Sequence, residues 1–161
     1  MNAAALELVS ELELFKGAQR ILIFNADQFE LDLTPLVKKF PKKTYAFPAV
    51  SHDGTLIFRS CSDISAFVPD TMGIASPSSE CPYLPPEQVD FAFIPCQAID
   101  STNHRLGRGG GFYDRFLERY GKCFYSLSVV PYFAYYHSLP KESFDLPVSS
   151  RIVISGDEFS S

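Results

Sequence analysis

The chain has 161 residues, of which 46% are hydrophobic, and a formal net charge of −5. A chain of this length normally folds as one domain, and this hydrophobic content is enough for a sizeable core. The negative charge argues against a protein that binds a nucleic-acid backbone, because such proteins carry a basic face, so any positively charged site must be local.

The cysteines and the N-terminal residues exclude further classes. The four cysteines stand at positions 61, 81, 96 and 123, without a CxxC pair or histidines at zinc-site spacing. We therefore expect neither structural zinc nor a disulfide framework. Residues 1 to 16 lack a basic segment and an uninterrupted apolar run, and no stretch is long enough for a membrane span. These features favour a soluble cytoplasmic protein with no membrane or nucleic-acid partner.

The first part of the chain alternates helices and strands. The hydrophobic pattern predicts, in chain order, a helix over 3 to 16, a strand over 20 to 26, a helix over 32 to 40, and strands over 44 to 50 and 55 to 59. Leu8, Leu12 and Phe15 lie at helical spacing and are expected on the buried face of the first helix. The sequence SHDG between the last two strands predicts a hairpin turn.

The second part begins with a segment rich in serine, proline and aspartate, residues 60 to 86, which predicts an ordered loop. The pattern then predicts a strand over 89 to 96, a helix over 112 to 120, and strands over 124 to 130 and 151 to 155. The helix is expected to bury Phe112, Phe116, Leu117 and Tyr120. Helices alternating with short apolar strands favour a single-domain, three-layer α/β/α fold with a mostly parallel sheet.

A glycine-rich segment, residues 105 to 115, carries the chemistry: RLGRGGGFYDR. It follows a predicted strand and opens a predicted helix. Its glycines permit positive φ angles and close approach of the backbone to a ligand, so successive N–H groups can bind an anion. The N–H groups and the positive dipole end of the helix favour the same ligand.

The flanking side chains make this segment a candidate polyphosphate site. Arg105 and Arg108 present guanidinium groups that suit phosphate oxygens. Asp114 stands in the first turn of the helix, where it could bind Mg²⁺ shared with the phosphates. A flexible turn with a capping aspartate is the alternative. No Lys-Ser/Thr follows the glycines and the last glycine of G-x-G-x-x-G is missing, so neither standard nucleotide motif fits.

Asp100 followed by the run at 105 to 115 resembles the signature of the 5-formyltetrahydrofolate cyclo-ligases, also called methenyltetrahydrofolate synthetases. Residues 139 to 148 (LPKESFDLPV) are similar to that family's C-terminal motif, and residues 30 to 34 and 43 to 48 resemble its folate-contacting segment. The resemblance implies a three-layer fold and a ligase that forms a C–N bond. It would convert 5-formyltetrahydrofolate and ATP to 5,10-methenyltetrahydrofolate, ADP and phosphate, with Mg²⁺.

The resemblance also implies roles for individual residues. ATP would be bound by Arg105, Leu106, Gly107, Arg108, Gly109, Gly110, Gly111, Phe112 and Tyr113. The folate would be bound by Glu30, Arg108, Gly109, Gly110, Gly111 and Phe112, with Asp32 competing for the part of Glu30. Arg108 would be catalytic, where the γ-phosphate meets the formyl oxygen, and Asp114 and Asp145 would bind Mg²⁺. The implied partners are ATP and a folate that can be polyglutamylated, bound to a monomer.

The sequence departs from the family pattern in several places. Residues 1 to 161 lack the family's N-terminal basic helix, and Ser76 replaces the glutamate of its Gly-Ile loop. Asn103 replaces a glycine, a tolerable change because asparagine accepts left-handed geometry. Phe144 replaces a histidine. These departures keep open a degenerate homologue that binds nucleotide or folate without turnover. A sugar-phosphate isomerase of similar architecture is a third hypothesis, although no histidine offers it a convincing base.

Overall fold

The computed structural model describes residues 1–69, 75–107, 109–142 and 146–156. The α-helices of these residues are Asn2–Ser10 (α1), Glu13–Gly17 (α2), Pro35–Lys39 (α3) and Phe112–Tyr120 (α4). The strands are Arg20–Leu22 (β1), Thr44–Val50 (β2), Leu56–Ser60 (β3), Val68–Pro69 (β4), Ala75–Ser76 (β5), Phe91–Phe93 (β6), Ala98–Asp100 (β7), Arg105–Leu106 (β8), Tyr125–Pro131 (β9), Tyr135–Tyr136 (β10) and Ser150–Ile154 (β11).

A six-stranded sheet forms the centre of the molecule, in the order β11-β9-β6-β1-β2-β3. Its strands pair in parallel, except that β3 runs antiparallel to β2 at one edge. The chain therefore leaves β1 towards β2 and β3, and later returns to the other side of β1 to add β6, β9 and β11. The predicted mostly parallel sheet is confirmed.

Alternating side chains of the central strands pack on opposite faces of the sheet. Ile21 and Phe91 belong to a core that also contains the buried residues of α1, α2 and α3. Leu22 and Ala92 belong to a second core, formed with α4 and its neighbours. Both faces are covered by helices, which explains the short and nearly continuous apolar runs of the sequence. The prediction of three layers is confirmed.

The N-terminal helix departs from its prediction, because the chain forms two helices instead of one over residues 3 to 16. Leu12 is extended, with φ −70° and ψ 126°, and separates α1 from α2. Val9 and Phe15 are both fully buried, yet six residues of a straight helix would turn their side chains far apart, so the break lets both reach the core. Leu8, which was expected on the buried face, is half exposed.

The other elements follow the sequence with differences in extent. The hairpin between β2 and β3 turns at Gly54, whose φ is +82°, and α4 has the predicted bounds. α4 buries Phe116 and Leu117, while Phe112 and Tyr120 are only half-buried. The strand expected over 89 to 96 is limited to β6. The expected loop over 60 to 86 contains β4, β5 and a 3₁₀ turn at Ile64–Ala66, and a second 3₁₀ turn, Pro86–Gln88, begins at its end.

A small second sheet lies beside the central one, in the order β10-β7-β8. β7 and β8 form an antiparallel hairpin, and β8 is the start of the glycine-rich segment. Asn103 in its turn has φ +65°, which confirms the left-handed geometry expected at this position. Among the described residues, no helix is long and apolar enough to cross a bilayer, and all four cysteines are free.

Candidate functional site

A cavity of about 460 Å³ opens at the carboxyl ends of the central strands. Its walls come from the segments that follow β1 and β6, from the end of β2, from β5, and from the glycine-rich segment with the start of α4. The residues that line it are Phe24, Asn25, Ala26, Asp27, Glu30, Pro48, Ala49, Val50, Leu56, Ala75, Ser76, Pro95, Cys96, Gln97, Arg105, Gly107, Gly110, Gly111, Phe112, Tyr113 and Asp114.

The topology of the sheet explains why the cavity lies there. The chain leaves β1 in one direction to form β2 and returns on the other side to form β6. The connections after these two strands therefore diverge and leave a crevice beyond their carboxyl ends, which is the usual ligand site of open α/β sheets. Residues 24 to 27 and 95 to 97 form the two sides of this crevice.

The glycine-rich segment brings backbone and a helix N-terminus to the cavity. Gly111 precedes the first residue of α4 in left-handed geometry, with φ 71° and ψ 9°, and Gly109 has φ +90°. A Cβ atom on Gly110 would lie 2.9 Å from the ring of Phe112. These glycines thus permit a tight turn, and the free N–H groups at the start of α4 can face an anionic ligand.

Arg105, the first residue of this segment, is held by two hydrogen bonds. Its side chain is only 4% exposed; Nε donates to the carbonyl oxygen of Pro95 at 2.9 Å, and Nη1 donates to Asp114 Oδ1 at 2.9 Å. The guanidinium carbon also lies 5.6 Å from the centre of the Tyr113 ring. One guanidinium therefore joins the connection after β6, the hairpin strand β8 and the first turn of α4.

Glu30 faces this positive charge from the other side of the crevice. Its Oε1 accepts the backbone N–H of Asp27 at 3.0 Å, and Asp27 Oδ1 accepts the N–H of Glu30 at 2.9 Å, so the two residues fix each other's loop. Burial raises the pKa of the Glu30 carboxyl to about 7, although the charge of Arg105 acts in the opposite direction. A carboxyl with this pKa changes its charge near neutral pH, which is common at functional sites.

Cys96 and Tyr113 line the cavity in a similarly desolvated environment. Burial raises the pKa of the Cys96 thiol to about 11 and also raises the pKa of the Tyr113 hydroxyl, while the charge of Arg105 lowers both. Both side chains are therefore neutral at physiological pH. They offer the cavity hydrogen-bonding and apolar surface without further negative charge.

The Asp100 carboxylate stabilises the hairpin of β7 and β8. Its fully buried carboxylate accepts hydrogen bonds from Thr102 and the N–H of His104 through Oδ1, and from the N–H of Leu139 through Oδ2. Lys141 Nζ lies 2.7 Å from Oδ2. Burial acts to raise the pKa of Asp100, but these hydrogen bonds outweigh it and the pKa lies well below its usual range. The aspartate thus ties the hairpin to residues 139 to 141.

Comparison with known proteins identifies the family. A model of the 5-formyltetrahydrofolate cyclo-ligase family matches residues 2–154. The chain belongs to the 5-formyltetrahydrofolate cyclo-ligase family. The family name places it among ligases, as the sequence predicted, and nothing in the comparisons supports the degenerate homologue or the isomerase.

Individual cyclo-ligases show the extent of the similarity. The 5-formyltetrahydrofolate cyclo-ligase of Escherichia coli K12 is 30% identical over 148 residues, which cover 86% of this chain and 79% of the relative. That of Haemophilus influenzae is 37% identical over 71 residues, 44% of this chain and 38% of the relative. The structure of the Aquifex aeolicus 5,10-methenyltetrahydrofolate synthetase superposes with a TM-score of 0.82 at 27% identity, covering 94% of this chain and 77% of that one.

Most of the residues predicted for the cyclo-ligase site lie around the cavity. They are Glu30, Arg105, Gly107, Gly110, Gly111, Phe112, Tyr113 and Asp114. Gly109 and Leu106 are not among the lining residues, and the Leu106 side chain is half exposed. Asp32 does not line the cavity either; its carboxylate accepts hydrogen bonds from Thr34 at the start of α3. Arg108 and Asp145 lie outside the described residues.

The sequence did not single out the residues that follow β1 and β6. Asn25 and Asp27 after β1, and Cys96 and Gln97 after β6, line the cavity but belong to no motif. Their common signal is position, because each comes within a few residues of the carboxyl end of a central parallel strand. That signal needs the strand order, which the hydrophobic pattern did not predict. Ser76 was noted only as a departure, and it is a buried residue of the cavity wall.

Proposed function

We propose that this chain catalyses the ATP-dependent conversion of 5-formyltetrahydrofolate to 5,10-methenyltetrahydrofolate, with release of ADP and phosphate. The supporting observation is one cavity with two chemically different sides. Gly110, Gly111 and the N-terminus of α4 suit phosphates, and Glu30 on the opposite side suits the hydrogen-bond donors of a pterin. About 460 Å³ is the size of a pocket for a drug-sized group. A cavity of this size can hold a pterin together with the terminal phosphates of ATP.

The reaction requires activation of an unreactive oxygen. The formyl oxygen attacks the γ-phosphorus of ATP, and the bond to the β-phosphate oxygen breaks and releases ADP. The N10 amine of the folate then attacks the activated carbon, loses its proton, and expels phosphate. Catalysis of these steps depends on positioning and on neutralisation of charge more than on an acid and base pair.

The phosphate side of the cavity supplies the neutralisation. The backbone N–H groups at the start of α4 and the dipole of the helix stabilise phosphate oxygens. We assign Arg105 to the same side, where its two hydrogen bonds hold the loop and its charge remains close to the cavity. By family resemblance we assign the transferring phosphoryl group to Arg108. An Arg108→Ala variant should therefore lose turnover while it keeps its folded fraction.

The folate side depends on Glu30. As a carboxylate, Glu30 accepts hydrogen bonds from the donor edge of the pterin, and Phe112 and Tyr113 line the passage between the two ligands. The raised pKa of Glu30 means that, before the folate binds, its carboxyl is partly protonated near neutral pH. A bound pterin that donates to it favours the charged form, so binding of the folate should be accompanied by release of a proton.

Asp114 makes the site suitable for Mg²⁺. Mg²⁺ commonly binds through one or two carboxylates together with phosphate oxygens and waters. Asp114 lines the cavity beside the start of α4 and its side chain is 25% exposed, so it can supply one hard oxygen ligand. Within the described residues there is no cluster of three metal-ligating side chains. We therefore propose an ion shared with ATP, with Asp145 as the second candidate ligand.

An Asp114→Asn variant tests the metal. Asparagine keeps the shape of the side chain but removes its charge, so nucleotide binding with Mg²⁺ should weaken about tenfold, while binding without Mg²⁺ should change little. Isothermal titration of ADP with and without Mg²⁺ measures both. Asp90→Asn, at the opposite end of the sheet where its carboxylate accepts the N–H groups of residues 19 and 20, is the control. An equal enhancement by Mg²⁺ in Asp114→Asn and the parent would refute the assignment.

The decisive test of the whole proposal is the reaction itself. Mixing the protein with ATP, Mg²⁺ and 5-formyltetrahydrofolate should give the absorbance of the methenyl product. Binding of nucleotide and folate without product would favour the degenerate homologue instead. We further propose that the enzyme is a cytoplasmic monomer that accepts polyglutamylated folates. Light scattering measures the oligomeric state, and comparison of mono- and polyglutamylated substrates measures the acceptance of polyglutamylated folates.

A further inference from the structure

A second extended segment covers the outer edge of the central sheet. The backbone N–H of Ser60, at the end of β3, donates to the carbonyl oxygen of Pro82 at 2.7 Å. Arg59 and Tyr83 form an antiparallel bridge. Residues 82 to 84 therefore run beside β3 as a short antiparallel neighbour, although they are not part of a longer strand.

This register places two cysteines opposite each other. Two residues forward from Arg59 is Cys61, and two residues back from Tyr83 is Cys81, so an extension of this antiparallel alignment would pair them, and their side chains do lie close enough to interact. The cross-strand hydrogen bonds occur at positions 58 with 84 and 60 with 82. In the extended alignment, Cys61 and Cys81 fall at a position without hydrogen bonds, and opposed Cα atoms at such positions of an antiparallel pair are typically about 4.5 Å apart. That distance lies within the range for a disulfide, about 4.4–6.8 Å.

The two thiols are neighbours, and both are partly exposed to solvent. Both are free and half-buried. Burial is the main cause that raises the pKa of Cys61, and the neighbouring Cys81 thiol raises it further. Cys61 Sγ donates to the carbonyl oxygen of Asp63 at 3.3 Å, and Cys81 Sγ lies 4.0 Å from Ser78 Oγ. Neither contact fixes a sulfur as firmly as a metal or a covalent bond would.

We propose that Cys61 and Cys81 form a reversible disulfide by exchange with a low-molecular-weight disulfide. One cysteine thiolate attacks the small disulfide, forms a mixed disulfide and releases one small thiol. The second thiolate then attacks the cysteine sulfur of the mixed disulfide and releases the second small thiol. The protein loses two protons and two electrons, and the small disulfide gains them as two thiols.

The position of the pair connects it with the cavity. The chain between Cys61 and Cys81 includes Ala75 and Ser76, which line the cavity wall. Asn25 Nδ2, on the other wall, donates to the carbonyl oxygen of Ala75 at 3.5 Å. A disulfide would close the chain between positions 61 and 81 into a loop and restrict the positions that Ala75 and Ser76 can take. Formation of the disulfide is independent of the proposed enzymatic reaction.

Peptide mapping tests the proposal directly. The intact protein is incubated with oxidised glutathione, free thiols are alkylated, and the chain is cut after glutamates without reduction. Cleavage after Glu80 separates Cys61, in fragment 31–80, from Cys81, in fragment 81–87. We expect these two fragments to stay joined, about 2 Da lighter than the sum of the two unalkylated peptides. Treatment with dithiothreitol should separate them.

The exposed Cys123 provides the reference for the reaction. Cys123→Ser should leave the joined fragments unchanged, whereas Cys61→Ser and Cys81→Ser should each abolish them. Circular dichroism verifies that the variants are folded, and the assignment in the parent protein does not depend on them. Addition of glutathione to Cys123 while fragments 31–80 and 81–87 remain separate would overturn the proposal. So would a predominant link from either cysteine to Cys96.

Discussion

At the scale of a single residue, burial and the charge of Arg105 have opposite effects on the ionisation of Glu30. Burial raises its pKa to about 7, so above that pH the folded protein holds a charge that its surroundings disfavour. The unfolded chain ionises near the ordinary value of 4.5. Between these two values the unfolded state binds fewer protons than the folded state, so the free energy of unfolding falls as pH rises. The contribution is complete below the unfolded pKa and lost above the folded one.

A Glu30→Gln variant should therefore be more stable than the parent at alkaline pH. We expect a gain of about 1–2 kcal/mol in the free energy of unfolding at pH 8, reduced from the full pKa shift because the carboxyl is partly solvated. The gain should vanish near pH 4, where both side chains are neutral. Urea unfolding across this range measures it.

Glu118→Gln is a suitable control, since Glu118 is exposed on α4 and does not line the cavity. The Glu30→Gln variant should also lose affinity for the folate, because the amide presents a donor to the pterin's donor edge. An unchanged pH profile of stability in Glu30→Gln would show that the carboxyl is not desolvated.

Individual residues also show what the sequence could predict. The motif at 105 to 115 identified Arg105, its glycines and Asp114 as parts of one site, and Arg105, Gly107, Gly110, Gly111 and Asp114 do line one cavity, whereas Gly109 does not. The ion pair between Arg105 and Asp114 was not predicted. The two residues stand nine positions apart across a loop, and only the turn at the glycines brings them together. Local sequence patterns predict which residues belong to a site better than they predict the contacts between those residues.

At the scale of elements, the junction between the glycine segment and α4 is the most constrained. Gly111 has φ +71°, which an L-residue disfavours by about 1–2 kcal/mol. A Gly111→Ala variant should lose about that much stability, and it should bind ADP more weakly because the N–H groups at the start of α4 are displaced. Urea unfolding and titration with ADP measure the two effects.

Gly17→Ala is the matched control for this substitution. Gly17 ends α2 and is exposed, and a Cβ atom added to it would meet no other atom within 4 Å. Alanine there should leave stability unchanged or raise it slightly, with no effect on nucleotide affinity. Equal losses in the Gly17 and Gly111 variants would mean that the left-handed geometry at Gly111 is unimportant.

The elements differ in how well the sequence predicted them. The bounds of α4 were predicted because glycines flank it and its apolar residues keep helical spacing. The break between α1 and α2 could not be predicted, since every residue near it is compatible with a helix. It follows from the need to bury both Val9 and Phe15 against the same sheet, which is a tertiary requirement.

At the scale of the whole molecule, Asp100 joins segments distant in the chain. Asp100→Asn removes the charge opposite Lys141 and weakens the hydrogen bonds that hold residues 139 to 141. We expect a loss of about 2–4 kcal/mol at pH 7. Because the pKa of the folded carboxyl is lowered, its contribution is present above the unfolded value and lost as pH falls below it. The difference from the parent should therefore shrink in acid.

Asp32→Asn distinguishes the buried charge from a local turn. Asp32 accepts the N–H and hydroxyl of Thr34 much as Asp100 accepts those of Thr102, but it has no lysine partner in the described part of the chain. Its replacement should cost less than about 1 kcal/mol. Urea unfolding at pH 7 and pH 3 compares the variants. A loss at Asp100 no larger than that at Asp32 would contradict the role of the ion pair.

The order of strands about β1 has a consequence for synthesis on the ribosome. Residues 1 to 60 contain α1, α2, α3 and the neighbours β1, β2 and β3, so one half of the sheet can assemble while the rest is still being translated. β6, β9 and β11 then dock outward in the order in which they emerge. The cavity has walls from both sides of β1, and its last lining residue in chain order is Asp114, so the cavity cannot be complete until the start of α4 has been made. Binding of a ligand can therefore stabilise the chain only late in folding, and it cannot assist the first steps.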